Sequence, residues 1–218
     1  MAAKAKVQSQ KQPVAILRRY TSLASLLALL QDRQITLVSP GLWEDRNDAF
    51  YMSQYKARKG LKTLLALCFS ESDETYHHWR VFTRGADGVC IHFKRDALLA
   101  ALPIGHNLVA GPVTYRKISD LPRFKPRLEQ LPFLKRQPYG DECEFRLVYE
   151  DRKDEMEAKG LPVPIKCIAR VTLNPWLPRP LAAAVKRAIK ATQGCATLKV
   201  YQTTLLENET WKKAALES

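Results

Sequence analysis

Residues 64–70, L-L-A-L-C-F-S, form a continuous apolar run of strand length. A strand without a polar face belongs in the middle of a sheet, covered on both sides. Around this run, strand-like and helix-like segments alternate. V-A-I-L-R-R-Y-T (14–21) reads as a first strand. Ser22 can cap a following helix in which Leu23, Leu26, Leu27 and Leu30 recur at i, i+3, i+4 and i+7. Q-I-T-L-V-S (34–39) reads as a short strand stopped by Pro40-Gly41, and 42–60 as a loop entering a helix that ends at Gly60. Further strands are expected over 88–93, 107–115, 142–149, 164–173 and 197–203. Gly111-Pro112 makes the 107–115 strand bent or an edge. Helices are expected through Tyr76, Trp79 and Phe82, over 94–102, around 123–135 and over 179–190. About seven or eight strands with intervening helices predict an α+β fold: a single mixed or split β-sheet core with short flanking helices. Residues 1–12 read as a mobile basic tail, 13–205 as one domain, and 206–218 as a C-terminal helical tail.

The net charge is +13 across 218 residues, and it is unevenly spread. Residues 110–140 carry seven basic side chains against two acidic ones, among them Arg116, Lys117, Arg123, Lys125 and Arg127. Residues 177–201 carry Arg179, Lys186, Arg187, Lys190 and Lys199 with no acid. Such asymmetry points to a polyanionic partner, nucleic acid or an acidic protein surface, though a basic surface also serves solubility alone. No apolar run approaches the roughly 20 residues of a membrane helix, and the polar N-terminus lacks the apolar centre of a secretory signal, so a cytoplasmic location is expected. The five cysteines are widely spaced and form no C-x-x-C pair, and the four histidines show no ligand spacing. Neither a disulfide framework nor a metal site is expected. G-x-G-x-x-G and G-x-x-x-x-G-K-[ST] are both absent, so a Rossmann or P-loop nucleotide site has no support.

D-E-C-E-F-R (141–146) concentrates the possible chemistry. On a strand, Glu142 and Glu144 share one face with Arg146 and Val148, while Cys143, Phe145 and Leu147 take the other. A polar face of that kind meets either water or a polar cleft, and periodicity leaves both open. The two acids could simply be partners for Arg146 and Lys135. Trp43 and Trp79 read as core anchors rather than stacking platforms. Asp45 and Asp48 fit either helix caps or cleft residues, and Ser70 could cap the helix after it.

Taken in order, several blocks resemble an uncharacterised bacterial domain family: L-R-R-Y-T; S-P-G-L-W-E-D-R-N-D; C-F-S followed by a tryptophan helix; G-V-C-I-H-F; and L-K-R-Q-P-Y-G-D-E-C-E-F-R-L-V-Y. The resemblance spans roughly 16–205. It is similar to abortive-infection proteins of phage-defence settings and to ADP-ribosyltransferases. It implies NAD as the donor, Glu144 and Glu142 as the catalytic pair, and Arg19, Tyr20 and Ser70 as the dinucleotide-holding residues. The expected first-motif histidine is replaced here by Arg-Tyr.

That chemistry has an independent physical rationale. Breaking a nicotinamide–ribose bond builds positive charge on the sugar, which a nearby carboxylate stabilises. A second carboxylate can orient the nucleophile or act as its base. Two rivals stand beside it. One is a non-catalytic binding module that works through its basic segments. The other is a metal-dependent nuclease built on Asp45, Asp48, Glu142 and Glu144.

Overall fold

The computed structural model describes residues 15–83 and 85–217. The chain runs β1 (Ile16–Ser22), α1 (Leu23–Asp32), β2 (Gln34–Val38), α2 (Arg46–Lys59), β3 (Thr63–Ser70), α3 (Tyr76–Phe82), β4 (Gly88–Lys94), α4 (Arg95–Ala101), β5 (Leu108–Pro112) and β6 (Thr114–Arg116). It continues β7 (Leu134–Arg136), β8 (Glu144–Asp151), β9 (Ala158–Pro162), β10 (Ile168–Leu173), α5 (Arg179–Ala191), β11 (Val200–Gln202) and α6 (Glu209–Leu216). The result is the expected α+β fold on a mixed sheet. The tail expected at 1–12 lies outside the described residues.

Local sequence sets the helix ends. The Ser22 hydroxyl accepts from Ser25 N at 3.1 Å and opens α1. Asp45 caps α2 by accepting from Asn47 N and Asp48 N. Gly60 closes α2 with φ +65, a conformation that costs glycine little.

The sheet is split. One half runs β11–β10–β4–β1; the other joins β5, β8, β3, β2 and β9. β1 pairs with β4 over seven residues but meets β3 at a single bridge, Arg18↔Ser70. β3 is central as expected, paired with β8 over eight residues from Thr63↔Asp151 to Ser70↔Glu144. Past the Arg18↔Ser70 bridge, β1 and β3 part. Arg19 spans the gap with its side chain, Nη1 donating to the Cys68 carbonyl at 3.1 Å.

Both faces of the sheet are covered. Leu65, Leu67 and Phe69 of β3 and Phe145 and Leu147 of β8 join α1, α4 and α5 in the main core. The opposite residues, Leu64, Ala66 and Val148, pack under Met52 and Tyr55 of α2 and Leu131. A smaller cluster places Tyr20, Trp79 and Cys90 together beneath α3. Trp79 is therefore a core anchor, as expected.

Three expectations are corrected. No α-helix forms around 123–135: the segment is a 3-10 turn at Leu128–Phe133 leading into β7. Pro122, Pro126 and Pro132 recur too closely for an α-helix to gather its hydrogen bonds. The strand expected at 142–149 begins only at Glu144, because Gln137–Glu142 is a 3-10 turn and Cys143 sits in the left-handed region with φ 41. Glu142 and Glu144 are thus not strand neighbours, and Cys143 is exposed rather than part of the apolar face. The charged segment 151–160, whose composition suggests an exposed turn or a helical excursion, leads instead into a strand, β9, which pairs with β2.

Candidate active site

A cleft of about 760 Å³ opens where β1 and β3 diverge. Its walls are Arg18 to Ser22 on β1, Cys68 to Ser70 on β3, and Val81 to Thr83 at the end of α3. Trp43, Asp45 and Asp48 close it from the α2 side, and Lys135, Tyr139, Glu142 and Glu144 from the side of β7 and β8. All five residues singled out for catalysis or dinucleotide binding, Glu144, Glu142, Arg19, Tyr20 and Ser70, line this one cleft.

Arg146 organises its floor. The residue is fully buried, and every one of its N–H donors has an acceptor. Nε donates to Glu144 Oε1 at 2.6 Å and Nη2 to Glu144 Oε2 at 2.8 Å. Nη1 donates to Asp48 Oδ1 at 2.9 Å and to the Pro132 carbonyl at 2.8 Å, while Nη2 also donates to Asp48 Oδ2. The Trp43 ring lies over the guanidinium at 4.8 Å. Trp43 therefore serves the cleft while also packing against the core cluster beneath α2, as expected of an anchor. Burying a charge is tolerated only when its donors are satisfied and its charge is compensated. The glutamate face of β8 turns out to look inward for this reason, toward Asp48 on α2.

Lys135 is the second cation. It donates to Glu142 Oε2 at 2.6 Å and to Glu144 Oε2 at 3.4 Å, and lies 3.8 Å from Asp48 Oδ2. Although Glu142 is off the strand, Lys135 brings it back beside Glu144. Their protonation behaviour diverges. Burial alone would raise the Glu144 carboxyl, but the contact with Arg146, and then Lys135, overcomes it and holds the group down to about 2. Burial raises Glu142, and Lys135 only partly opposes it. Burial likewise raises Asp48 against Arg146. Glu144 is a fixed anion, and Glu142 is the more basic carboxylate.

The β1 wall is cationic. Arg18 donates through Nη1 to the Glu71 carbonyl at 3.2 Å and pairs with Asp73 through Nη2, and its buried Nε has no partner. Arg19 is half-buried on the Cys68 carbonyl. The Tyr20 ring packs edge-on to Trp79 at 5.2 Å and against His78 at 5.5 Å. Burial raises its hydroxyl, so Tyr20 is a neutral phenol. Ser70 is buried, with Oγ 2.8 Å from Ser72 Oγ. Ser72 Oγ lies 3.3 Å from His78 Nε2, which is 3.2 Å from the Asp141 carbonyl. A carbonyl only accepts, so Nε2 carries the hydrogen. This chain ties the end of β3 to the turn that carries Glu142. Ser70 does not cap α3; Thr75 does.

The candidate polyanion residues fall in two separate places. Arg116, Lys117, Arg123, Lys125 and Arg127 are exposed. Arg116 and Lys117 line a smaller groove of about 230 Å³ that shares Asp45, Asp48 and Lys135 with the main cleft. Arg187 and Lys190 are exposed and Lys186 half-buried on α5, whose Ala182 and Ile189 enter the main core on the opposite side of the sheet from α2. Among the described residues, no group of three or more His, Cys, Asp or Glu is placed to hold a metal ion. No described helix is long and apolar enough to cross a membrane.

Sequence patterning offered Asp48 as either a cap or a cleft residue, and Arg146 and Lys135 as partners of the two glutamates. The structure places Asp48 and Lys135 in the cleft and makes both pairings. Nothing in the sequence signalled that Arg146 would join Asp48 to Glu144, since Asp48 lies 98 residues away.

No protein-family model matches the sequence, and no curated protein matches it. Among solved structures, the chain is similar to DarT of Thermus sp. 2.9. The complex with NAD+ gives a TM-score of 0.49 at 10% identity, covering 90% of this chain and 99% of that one. The complex with carba-NAD+ gives 0.48 at 12% identity, covering 91% and 100%. The complex with ADP-ribosylated ssDNA gives 0.47 at 11%, covering 89% and 97%.

Proposed function

We propose that the chain is an NAD-dependent ADP-ribosyltransferase working in the cleft between β1 and β3. Its target would be a polyanion, nucleic acid or an acidic protein surface, met along the basic 116–136 segment. The observation that carries this reading is the polarity of the cleft. Arg18 and Arg19 stand on the β1 wall, while Glu142, Glu144 and Asp48 cluster on the opposite floor. A molecule with a diphosphate at its middle and a cationic ring at one end complements both.

NAD bound there supplies a ribose carbon whose bond to nicotinamide breaks as positive charge builds on the sugar. Glu144, kept anionic by Arg146, offers a preorganised negative charge to that sugar at no cost of reorganisation. Glu142, the more basic carboxylate, takes the proton of the attacking nucleophile, with Lys135 holding it in place. Arg19 and Arg18 face the phosphates. Tyr20 gives the wall an apolar ring, and Ser70 offers a hydroxyl to the ribose. Trp43 shields the floor from water.

A second reading keeps the protein non-catalytic. It is favoured by the exposed basic residues of α5, which face away from the cleft and serve no role in it.

The test is incubation of the full chain with adenine-labelled NAD and either single- or double-stranded nucleic acid or cell extract. Label transferred to one acceptor class supports the transferase. NAD that neither binds nor reacts, together with salt-sensitive nucleic-acid binding, would leave the second reading standing.

A further inference from the structure

Glu142 lies outside the strand ladder, because β8 begins only at Glu144. Other contacts set where its carboxylate points. Lys135 takes the carboxylate itself, and Glu71 N donates to the Cys143 carbonyl at 2.8 Å just beyond the turn. A further hold comes from His78 on α3, whose Nε2–H reaches the Asp141 carbonyl, one residue before Glu142. The same hydrogen also faces Ser72 Oγ at 3.3 Å. A protonated Nε2 has no lone pair, so the Ser72 hydroxyl cannot donate back to it. That hydroxyl turns instead toward Ser70 Oγ, 2.8 Å away. Ser70 then accepts from Ser72 and keeps its own hydrogen to donate into the cleft it lines. One imidazole N–H thus governs both the turn that carries Glu142 and the direction of the Ser70 hydroxyl.

The surroundings of the ring aim this one atom. His78 is 4% exposed, stacked on Phe82 at 5.7 Å and packed against Tyr20 at 5.5 Å. Both of those neighbours line the cleft, and His78 lies behind them. Its backbone is fixed as well, His78 N donating to Thr75 Oγ1 at 3.1 Å. Nδ1 is buried without a partner among the described residues, so the imidazole acts through Nε2.

We propose that His78 is a positioning residue, which through Nε2 aligns the Glu142 turn with the Ser70 hydroxyl. Resting on the NAD reading of the cleft, this role needs no contact between His78 and any ligand. Glu142 has to stand within hydrogen-bond reach of the attacking nucleophile while Ser70 meets the ribose. Misplacing either slows the reaction, whereas the cationic β1 wall that faces the diphosphate does not depend on His78.

The experiment is steady-state nicotinamide release from NAD by the full chain, with thermal melts, for wild type, His78→Phe, His78→Gln and Ser72→Ala. Phenylalanine keeps a ring between Phe82 and Tyr20 and removes the N–H. Glutamine gives up the ring and keeps an N–H donor. His78→Phe is expected to lower kcat about tenfold or more while KM changes by less than about threefold. His78→Gln should recover most of that loss, whatever its melting temperature. Ser72→Ala breaks the Ser70 branch alone and should give a smaller fall in kcat at unchanged KM. A His78→Phe variant with wild-type kcat overturns the proposal, and so does a His78→Gln variant that falls as far as His78→Phe, since the ring then serves packing only. If His78→Phe does not fold, Ser72→Ala decides: an unchanged kcat overturns the proposal, and a lower kcat at unchanged KM upholds it. A wild type that neither binds NAD nor releases nicotinamide removes the NAD reading and this proposal with it.

Discussion

Arg146 holds Glu144 edge-on, with Nε on one carboxylate oxygen at 2.6 Å and Nη2 on the other at 2.8 Å. The two residues stand two apart on β8, on a face that strand periodicity marks as polar. Because both are buried, the pair is a structural element, with Glu144 lining the cleft floor and Arg146 supporting it from behind.

Removing the cation should therefore be costly. Arg146→Met leaves Asp48 and Glu144 buried with Lys135 as their remaining cation. Breaking a buried pair from one side costs about 3–5 kcal/mol, so a clear fall in the urea midpoint is expected. Arg146→Lys should recover little of it, since an ammonium cannot reproduce the planar fork.

The acid limb of stability should have two parts. His92 is buried beside Thr172, with Nε2 2.9 Å from its hydroxyl. Burial, and then Arg170, depresses it from 6.5 to about 3. The unfolded chain therefore takes up that proton first, and stability falls as pH drops below about 6.5. Glu144, held at about 2 against an ordinary 4.5, contributes stability that is complete above about 4.5 and is lost as pH falls toward 2. Asp48 and Glu142, both raised, act in the opposite sense and partly offset the decline. Urea midpoints measured across pH should fall from 6.5 downward. His92→Gln should flatten the upper part and Glu144→Gln the lower.

Gly88 is fixed by a close approach rather than by its backbone angle. A Cβ at this position would lie 2.4 Å from Thr83 Cβ, and Thr83 is tied to the Trp79 carbonyl at 2.5 Å. Both residues line the cleft. Gly88→Ala should cost about 1–3 kcal/mol, the range for overpacking, and weaken dinucleotide binding. Thermal melts and calorimetry on the same variant check both effects.

The two basic regions should separate functionally. Reversing Arg123, Lys125 and Arg127 to Glu is expected to raise the KM for a polyanionic target about tenfold or more at low salt, with the difference shrinking as salt screens it. Nicotinamide release without target should not change. Reversing Arg187 and Lys190, on the opposite side of the sheet, should leave both quantities as they were.

Much of the fold was legible because its signals are local. The apolar run 64–70 announced the central strand, Ser22 and Gly60 marked helix ends, and Gly111-Pro112 marked the edge strand β5. The misses have both local and long-range causes. Two-residue periodicity placed Glu142 on β8, but the left-handed Cys143 breaks the strand just after it. The acids still meet, because Lys135 on β7 reaches both. Whether the glutamate face of β8 looks at water depends on α2 lying over it. No pattern within β8 carries that fact; it is set by Asp48, far upstream, pairing with Arg146.

The central claim is that Glu144 acts on the bond between nicotinamide and ribose. The most direct measurement is nicotinamide release from saturating NAD by wild type and Glu144→Gln, with NAD affinity measured on both. The account predicts measurable release by wild type, release slower by at least about 10²-fold in the variant, and affinities of the same order. Equal release rates from the two proteins would contradict it.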